Sequence, residues 1–494
     1  MKSSPSSLKH NVKNYFEEIS SFDLFYQLTY MTATSAAGIS RARTFQLARE
    51  LPTPPAQYFR SIHEVAENLR YNYPDAVRLV GEQVKAPYTK TFLLRLSDAL
   101  RSGEPLPAFL KREAQVQGEN YQNDYLKSLE SMKKWTDAYA AVAVSASLIV
   151  IINMVMTMIY SISPTLMAAM IFVSVASTFG VAWLIFRASP QETKFVQLER
   201  GSKMQQLSRR LFFMLVPAMF VVCALLAALG LDKGWLLILA GLFLAPIGYI
   251  SGKADEDITA KDAEISSFLR SLGGNATSRG TTLKDALASM KRDSFPTLQP
   301  DIRMLDLRLK SFGKPELCWR TFGTESGSKI AEQAVGIFYE AINLGGDPER
   351  AGNLTSEFSM KTAMLRAQRI GIAATFSWLT IAMHVVMTGL MIFLIGILEQ
   401  FGVKLEEAMA SMGSSTEVLG TMGLQSMFSF SSAQVHFLYG LTVMLIILLS
   451  VINAFAIVAS QGTHFVKMTF YLAILLVLSG VCFLAVPSMV KWVM

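Results

Sequence analysis

Side chains that could do chemistry are scattered along this sequence. It contains five histidines and three cysteines, and Cys223, Cys318 and Cys482 are widely separated. They offer neither a disulfide framework nor a metal quartet. The histidines and acids show no metal-ligand spacing and no pairing of a nucleophile with a base. We therefore predict a protein that is not an enzyme and needs no cofactor or metal.

One glycine-rich segment could be a phosphate cradle. Residues 273–280 read GGNATSRG, but a P-loop follows a strand and ends in Gly-Lys-Ser/Thr. This segment follows a predicted helix and has no lysine in place. We therefore predict a tight turn between packed helices, opening with a break at Gly273 and Gly274.

Four polar residues lie inside long apolar runs: His384, His436, Asn153 and Asn453. An ionisable group inside a membrane span is a functional candidate by default. Histidine can also be buried neutral, and a hydrogen bond to a neighbouring helix would then satisfy it. We favour this packing role, and a proton or substrate path stays the alternative.

Basic residues are the best candidates for partner contacts. Arg270 and Arg279 flank the glycine-rich segment, so they are our first candidates for contact with a partner. The alternative for any one of these residues is a solvated face, or retention of membrane topology near anionic headgroups. The full candidate set is Arg41, Arg43, Arg200, Lys203, Arg209, Arg210, Arg270, Arg279, Lys284, Lys291 and Arg292.

Two polar helical blocks must position these residues. In the second block the residues spaced as one helix face are Ile265, Phe268, Leu269 and Leu272. In the first block the helical stripe of Phe92, Leu96, Ala99 and Leu100 ends at Gly103. Aligning Ala33 with Ala276 gives an offset of 243 (276 − 33). The same offset joins two further pairs, Gly103-Glu104-Pro105 with Gly346-Asp347-Pro348 and Trp135 with Trp378. We therefore predict an internal duplication.

Apolar runs long enough to cross roughly 30 Å of hydrocarbon separate and follow the blocks. They predict an all-α, polytopic membrane protein with about seven transmembrane helices and two repeated cytoplasmic helical bundles. The predicted order is a flexible tail (1–20), bundle 1 (21–137), two spans (138–186), a basic loop (187–210), two spans (211–250), bundle 2 (251–370), a fifth span (371–398), an external segment rich in Gly, Met and Ser (399–434) and two last spans (435–491).

The distribution of charge predicts the orientation. Of 45 Lys and Arg residues, 42 fall in residues 1–137, the 187–210 loop, the second block or at Lys467. The positive-inside rule therefore puts both blocks, the loop and the N-terminus in the cytoplasm. Seven spans then put the C-terminus outside a multi-pass protein of the cytoplasmic (inner) membrane.

The repeated pattern resembles the type II secretion system F family, the inner-membrane platform proteins of type II secretion systems and type IV pili. The second block matches more closely, because the first has Ala36 in place of Arg279 and Tyr30-Met31 in place of the Gly-Gly pair. Seven spans resemble the archaeal branch, which serves the archaellum or an adhesive pilus. The residues that carry the resemblance are Phe268-Leu269-Arg270, Ala276-Thr277-Ser278-Arg279-Gly280, Leu283, Ala286-Leu287 and Gly346-Asp347-Pro348.

The resemblance implies a non-enzymatic platform that couples a hexameric secretion ATPase in the cytoplasm to assembly of pilin-like subunits in the membrane. The other expected partners are the lipid bilayer and a second copy of the chain, which would form a dimer. No nucleic acid partner is expected. A polytopic transporter or channel with cytoplasmic helical domains is the alternative. It would need a polar path across the bilayer.

Overall fold

The computed structural model of the 494-residue chain describes residues 19–159, 164–196, 202–311, 313–411 and 432–493. Within these ranges the predicted all-α class is confirmed, and the one β-type pairing there is an isolated bridge between Phe195 and Ser328. The helices are α1 Ser21–Ser35, α2 Arg41–Glu50, α3 Ala56–Asn68, α4 Tyr73–Gln83, α5 Pro87–Ser102, α6 Leu106–Ile159, α7 Pro164–Ala188, α8 Lys203–Ala228, α9 Lys233–Arg279, α10 Leu283–Ser289, α11 Gln299–Lys310, α12 Pro315–Glu325, α13 Lys329–Asn343, α14 Pro348–Ser411, α15 Ser432–Gln461 and α16 Met468–Val493.

Seven helices of the described chain are long and apolar enough to cross a membrane: α6, α7, α8, α9, α14, α15 and α16. The predicted number of spans and the multi-pass membrane class are thereby confirmed. Helices α6, α9 and α14 have 54, 47 and 64 residues. A crossing needs only about 20 residues, so each of these helices also has a long polar part.

The chain forms two compact units. The polar unit comprises Met1–Lys127, Lys194–Ser202 and Asp257–Arg366, and the membrane unit comprises the remaining segments. The division falls inside α6, α9 and α14, so each of these helices contributes residues to both units.

The first block has a core built from α1 to α6. The four residues of its predicted stripe are all buried, with Phe92 and Leu96 fully inaccessible. Helix α5 ends as predicted at Gly103, whose φ of 78° lies in the left-handed region that glycine adopts without strain. The chain then turns and α6 begins at Leu106.

The second block confirms one prediction and corrects another. The stripe of Ile265, Phe268, Leu269 and Leu272 is fully buried, as predicted. The predicted break at Gly273 and Gly274 is wrong, because α9 continues through both glycines to Arg279. The turn comes at Gly280, where φ is 58°.

Close helix packing explains Gly273 inside α9. A Cβ atom on Gly273 would collide with the backbone carbonyl of Pro348 at the start of α14. A Cβ on Gly352 of α14 would lie 2.7 Å from the carbonyl oxygen of Leu269. Glycine costs a helix about 1 kcal/mol relative to alanine. Here it lets two helix backbones touch, so its role is packing and not chain reversal.

Helix starts recur between the blocks. Helices α2, α4, α5 and α6 each begin 242 positions before α10, α12, α13 and α14, as Arg41 and Leu283 illustrate (283 − 41). Left-handed glycines recur at the same spacing, with Gly38 matching Gly280 and Gly103 matching Gly345. This spacing is one position shorter than the predicted offset of 243, so the structural counterpart of Gly103 is Gly345 and not Gly346. The recurrence supports the duplication, which stays a proposal.

Aromatic side chains hold the two blocks together inside the polar unit. Phe25 of α1 lies 5.2 Å from Phe358 of α14 between ring centroids, and Tyr26 lies 5.9 Å from the same ring. Phe22 contacts both Phe358 and Tyr121 of α6. Aromatic pairs at such distances stabilise by about 0.5–1.5 kcal/mol beyond their burial. Helix α1 is therefore shared by both blocks.

Several predicted segments lie partly outside the described residues. The tail is described only at residues 19–20, and residues 197–201 of the basic loop and 412–431 of the Gly/Met/Ser-rich segment are not described. Residues 399–411 continue α14, and residues 203–210 form the first turns of α8. The part of the loop between α7 and α8 is therefore shorter than 187–210.

Candidate functional site

The candidate docking site is the region of the polar unit where α9 ends, α10 follows and α14 begins. The turn is fixed by side chains, since Thr277 donates its hydroxyl to Asp347 at 2.9 Å. Asp347 also accepts the backbone N–H of Glu349 at 3.0 Å and so caps α14. Thr282 caps α10 by accepting the N–H of Asp285. The start of α14 and the turn after α9 therefore form one hydrogen-bonded structure.

Arg270 and Arg279 are both exposed on α9, at its C-terminal end. Nine residues separate them, which at 3.6 residues per turn places them on opposite sides of the helix and about 13 Å apart along it. They therefore flank the end of the helix without forming one patch. Lys284 is partly buried on α10, Lys291 is exposed after it, and Arg292 begins a short 3-10 helix.

Arg41 and Arg43 stand in the first turn of α2, and both are exposed. Arg43 donates to the Gln46 side chain at 2.8 Å. Burial and the Glu316 carboxylate raise the pKa of the Glu340 carboxyl on α13 above its ordinary value. The Arg43 guanidinium partly offsets this rise. Arg43 therefore faces acidic groups of the second block.

The remaining basic candidates are not in the polar unit or are not described. Lys203, Arg209 and Arg210 lie on the first turns of α8, in the membrane unit. Arg200 lies outside the described residues. The candidate set is thus divided between the units, and Arg270, Arg279 and Lys284 are its members nearest the turn.

A buried ion pair between α9 and α14 was missed by sequence reasoning. Arg366 of α14 donates to Asp262 of α9 at 2.9 Å, and their side chains are 6% and 4% exposed. Asp262 also accepts the hydroxyl of Ser328, which caps α13. These residues are 104 and 66 positions apart along the chain, so no local spacing points to them. A buried pair joins α9, α13 and α14.

A second arginine of α14 serves the membrane unit. Buried Arg369 donates to the carbonyl oxygens of Ser460 at 2.9 Å, Ala459 at 3.1 Å and Pro190 at 2.8 Å. The first two are terminal carbonyls of α15, which have no helical partner. The cation also opposes the negative end of the helix dipole. Arg369 is therefore the cap that positions the end of α15.

Two of the four polar residues predicted inside the spans, His384 and Asn453, belong to a cluster across four membrane helices. His384 of α14 contacts Asn453 of α15 at 3.0 Å through Nδ1, and Ser479 of α16 at 2.9 Å and Ser450 of α15 at 3.2 Å through Nε2. Tyr139 of α6 donates to the Asn453 carbonyl oxygen. The predicted hydrogen bond from His384 to a neighbouring helix is confirmed. The side chain of His436 lies outside the described residues.

The donor directions in this cluster fix the histidine tautomer. Asn453 accepts from Tyr139, so its amide nitrogen donates to Nδ1 of His384. Ser450 and Ser479 donate to carbonyls one turn back, so their oxygens accept from Nε2–H. Every ring nitrogen is satisfied with the imidazole neutral, which is a packing arrangement. Among the described residues no three His, Cys, Asp or Glu side chains gather as a metal site.

Comparison with known proteins places the chain in context. Residues 28–154 match the family described as Type II secretion system (T2SS), protein F. The match covers most of the first block and runs along the first membrane helix, α6, as far as residue 154. The predicted family resemblance is confirmed. The match does not fall on the second block, where the closer resemblance was predicted.

Two curated relatives carry the name Flagella accessory protein J. The chain is 26% identical to the Methanocaldococcus jannaschii protein over 309 residues, which is 60% of this chain and 54% of the relative. It is 20% identical to the Methanococcus voltae protein over 330 residues, 64% of this chain and 58% of the relative. The matched part thus spans just over half of each relative. No solved structure matches the chain.

Proposed function

We propose that this chain is the membrane platform of an archaellum-type, type IV pilus-like or type II secretion machine. The observation that carries the proposal is the F-family domain at residues 28–154, which leads directly into the first membrane helix. The name shared by the two curated relatives supports the archaellum variant. The platform catalyses no reaction of its own in this proposal.

In this function the polar unit binds a hexameric secretion ATPase in the cytoplasm. Both blocks belong to one compact unit, which is consistent with both lying on the same face of the membrane. Exposed Arg270 and Arg279 supply charge for an acidic surface of the motor. The membrane helices guide pilin-like subunits into the filament.

Three helices connect the motor side to the membrane side of the proposed platform. Helices α6, α9 and α14 each contribute to both units without interruption of the helix. A displacement applied to the polar part of a continuous helix acts on its apolar part through backbone hydrogen bonds. This is the route by which ATPase motion would reach the pilin-like subunits.

Co-purification tests the docking site. The full chain in detergent is bound to the secretion ATPase of the same organism, and affinities are compared for wild type and Arg270→Glu/Arg279→Glu. We expect about a tenfold weaker complex at low salt, because charge reversal replaces attraction by repulsion. The matched control is Lys85→Glu/Lys90→Glu, which makes the same charge change at exposed positions of the first block. Equal binding by all three proteins would remove the site, and no binding by wild type would remove the function.

A further inference from the structure

A cavity of about 430 Å³ lies in the polar unit where the two blocks meet. It is lined by the last turn of α1, the first turns of α6, the end of α13 with its following turn, and the first turns of α14. The part of α1 that lines it includes Ala33, which belongs to the Ala-Thr-Ser sequence repeated between the blocks. We name this cavity the interblock pocket.

Buried alanine side chains make the floor of the interblock pocket: Ala33, Ala341 and Ala351. The exposed residues Ala36 and Ala108 lie at its edge. The pocket is open to solvent at exposed Ala108. Its volume lies within the range of about 300–1,000 Å³ that is typical of binding pockets. Its apolar floor fits an apolar group.

Charged side chains around the rim of the pocket limit the kinds of ligand that it can bind. Arg350 and Asp347 pair with each other at 3.5 Å. Lys111 and Glu357 are exposed and have no ion-pair partner among the described residues. One unpaired charge of each sign disfavours a strongly anionic ligand such as a nucleotide. The N-terminus of α14 is already capped by Asp347, so it offers no free anion site.

We propose that the interblock pocket receives a protruding loop or helix end of the motor protein, which carries one large apolar side chain flanked by an acidic and a basic residue. The acid pairs with Lys111 and the base with Glu357. This inference rests on the proposed platform function and adds a second contact, distinct from Arg270 and Arg279. An occupant touches both blocks at once, and with them α6 and α14, two of the helices that continue into the membrane unit.

Filling the pocket tests the proposal. Ala108→Trp places an indole at the exposed edge of the pocket. The control Gln83→Trp places one at the end of α4, at an exposed position that lines neither the pocket nor the candidate docking site. Full-length variants in detergent are titrated with the secretion ATPase. We expect Ala108→Trp to weaken binding about tenfold or more, as loss of a central apolar contact does, and Gln83→Trp to leave it within about twofold.

Charge variants keep the test open if the tryptophan variant does not fold. Lys111→Glu and Glu357→Lys should each weaken binding, and the double variant should not recover it, because each charge faces a different partner residue. Folding is checked by thermal melting of every variant.

Three outcomes would overturn the inference, and they are separable. Binding by wild type and by all pocket variants alike removes the pocket and leaves the proposed function standing. Unchanged ATPase binding with a changed oligomeric state of Ala108→Trp, measured by light scattering, makes a second copy of the chain the occupant. No ATPase binding by wild type removes the function and the inference together.

Discussion

Buried charge makes the Asp262–Arg366 pair the most sensitive single contact of the polar unit. Arg366→Met leaves the Asp262 carboxylate buried with its principal cation removed. Breaking one partner of a buried pair costs about 3–5 kcal/mol. We therefore expect the free energy of unfolding to fall by that amount in chemical denaturation followed by tryptophan fluorescence, for which buried Trp319 of the same unit is a probe.

An exposed pair and a neutral double variant control this prediction. Arg78 and Glu82 form an i,i+4 pair with side chains 53% and 58% exposed, so Arg78→Ala should change the free energy of unfolding by less than about 1 kcal/mol. Asp262→Asn/Arg366→Met removes both charges and should recover much of the loss. Equal stability of the Arg366 and Arg78 variants would contradict the account of this pair.

The His384 cluster makes a second prediction at the scale of single residues. His384→Phe removes the acceptor of the Asn453 amide and leaves a buried donor without a partner. An unsatisfied buried donor costs about 1–3 kcal/mol, so the variant should unfold at lower temperature in detergent. The triple variant His384→Phe/Asn453→Leu/Tyr139→Phe also removes the Asn453 amide and the Tyr139 hydroxyl that donates to it, so it should be more stable than His384→Phe alone.

The control for the cluster is a serine that has no cross-helix contact. Ser145 of α6 is exposed and donates only to its own helix, to the carbonyl of Ala141. Ser145→Ala should leave the melting temperature unchanged. If the triple variant is no more stable than His384→Phe, then the cluster is not a packing arrangement.

At the scale of elements, adjacent glycines of α9 should respond to alanine with opposite signs. Gly274 has no atom within 4 Å of the position a Cβ would take, so Gly274→Ala should raise stability by about 0.5–1 kcal/mol through helix propensity. Gly273→Ala drives a methyl group into the Pro348 backbone, and overpacking of this kind costs about 1–3 kcal/mol. Thermal melting of the two variants checks both signs.

These two glycines also show where sequence reasoning ends. The apolar stripe before them predicted the buried face of α9 correctly, because burial follows the helical period. Two successive glycines also favour a chain break in local terms. The approach of α14 from 75 positions later (348 − 273) explains the place of Gly273 inside the helix, and no contact requires glycine at position 274. Local pattern predicts which face is buried and cannot predict what it is buried against.

The same limit applies to the candidate site, where some features could be predicted from the sequence and others could not. Its basic residues could be proposed from residue type, and the packing role of His384 could be predicted from its hydrophobic context. Arg366 and Arg369 could have been noticed, since arginines one turn apart at the end of a polar block are expensive to bury. Their partners, Asp262 and the carbonyls that end α15, depend on tertiary contacts. The pocket depends on the packing of both blocks and has no sequence signal.

At the scale of the whole molecule, two buried arginines anchor α14, one in each unit. Arg366 binds within the polar unit and Arg369, three residues later, binds within the membrane unit. The helix is therefore anchored in each unit by a buried cation rather than by apolar packing alone. An anchored, continuous helix is what a platform needs if motion of a motor is to reach the membrane.

Orientation in the membrane is the property of the whole molecule that the proposed function requires. Seven spans and the positive-inside distribution predict that Lys233 and Lys404 face outward and that Ala288 and Lys85 face the cytoplasm. The three native cysteines, all free thiols, are first replaced by Ala, and single Cys substitutions are made at these four exposed positions. A membrane-impermeant maleimide should label Lys233→Cys and Lys404→Cys in intact cells, and Ala288→Cys and Lys85→Cys only after permeabilisation. Labelling of either block in intact cells would place that block outside the cell, where it could not bind a cytoplasmic motor.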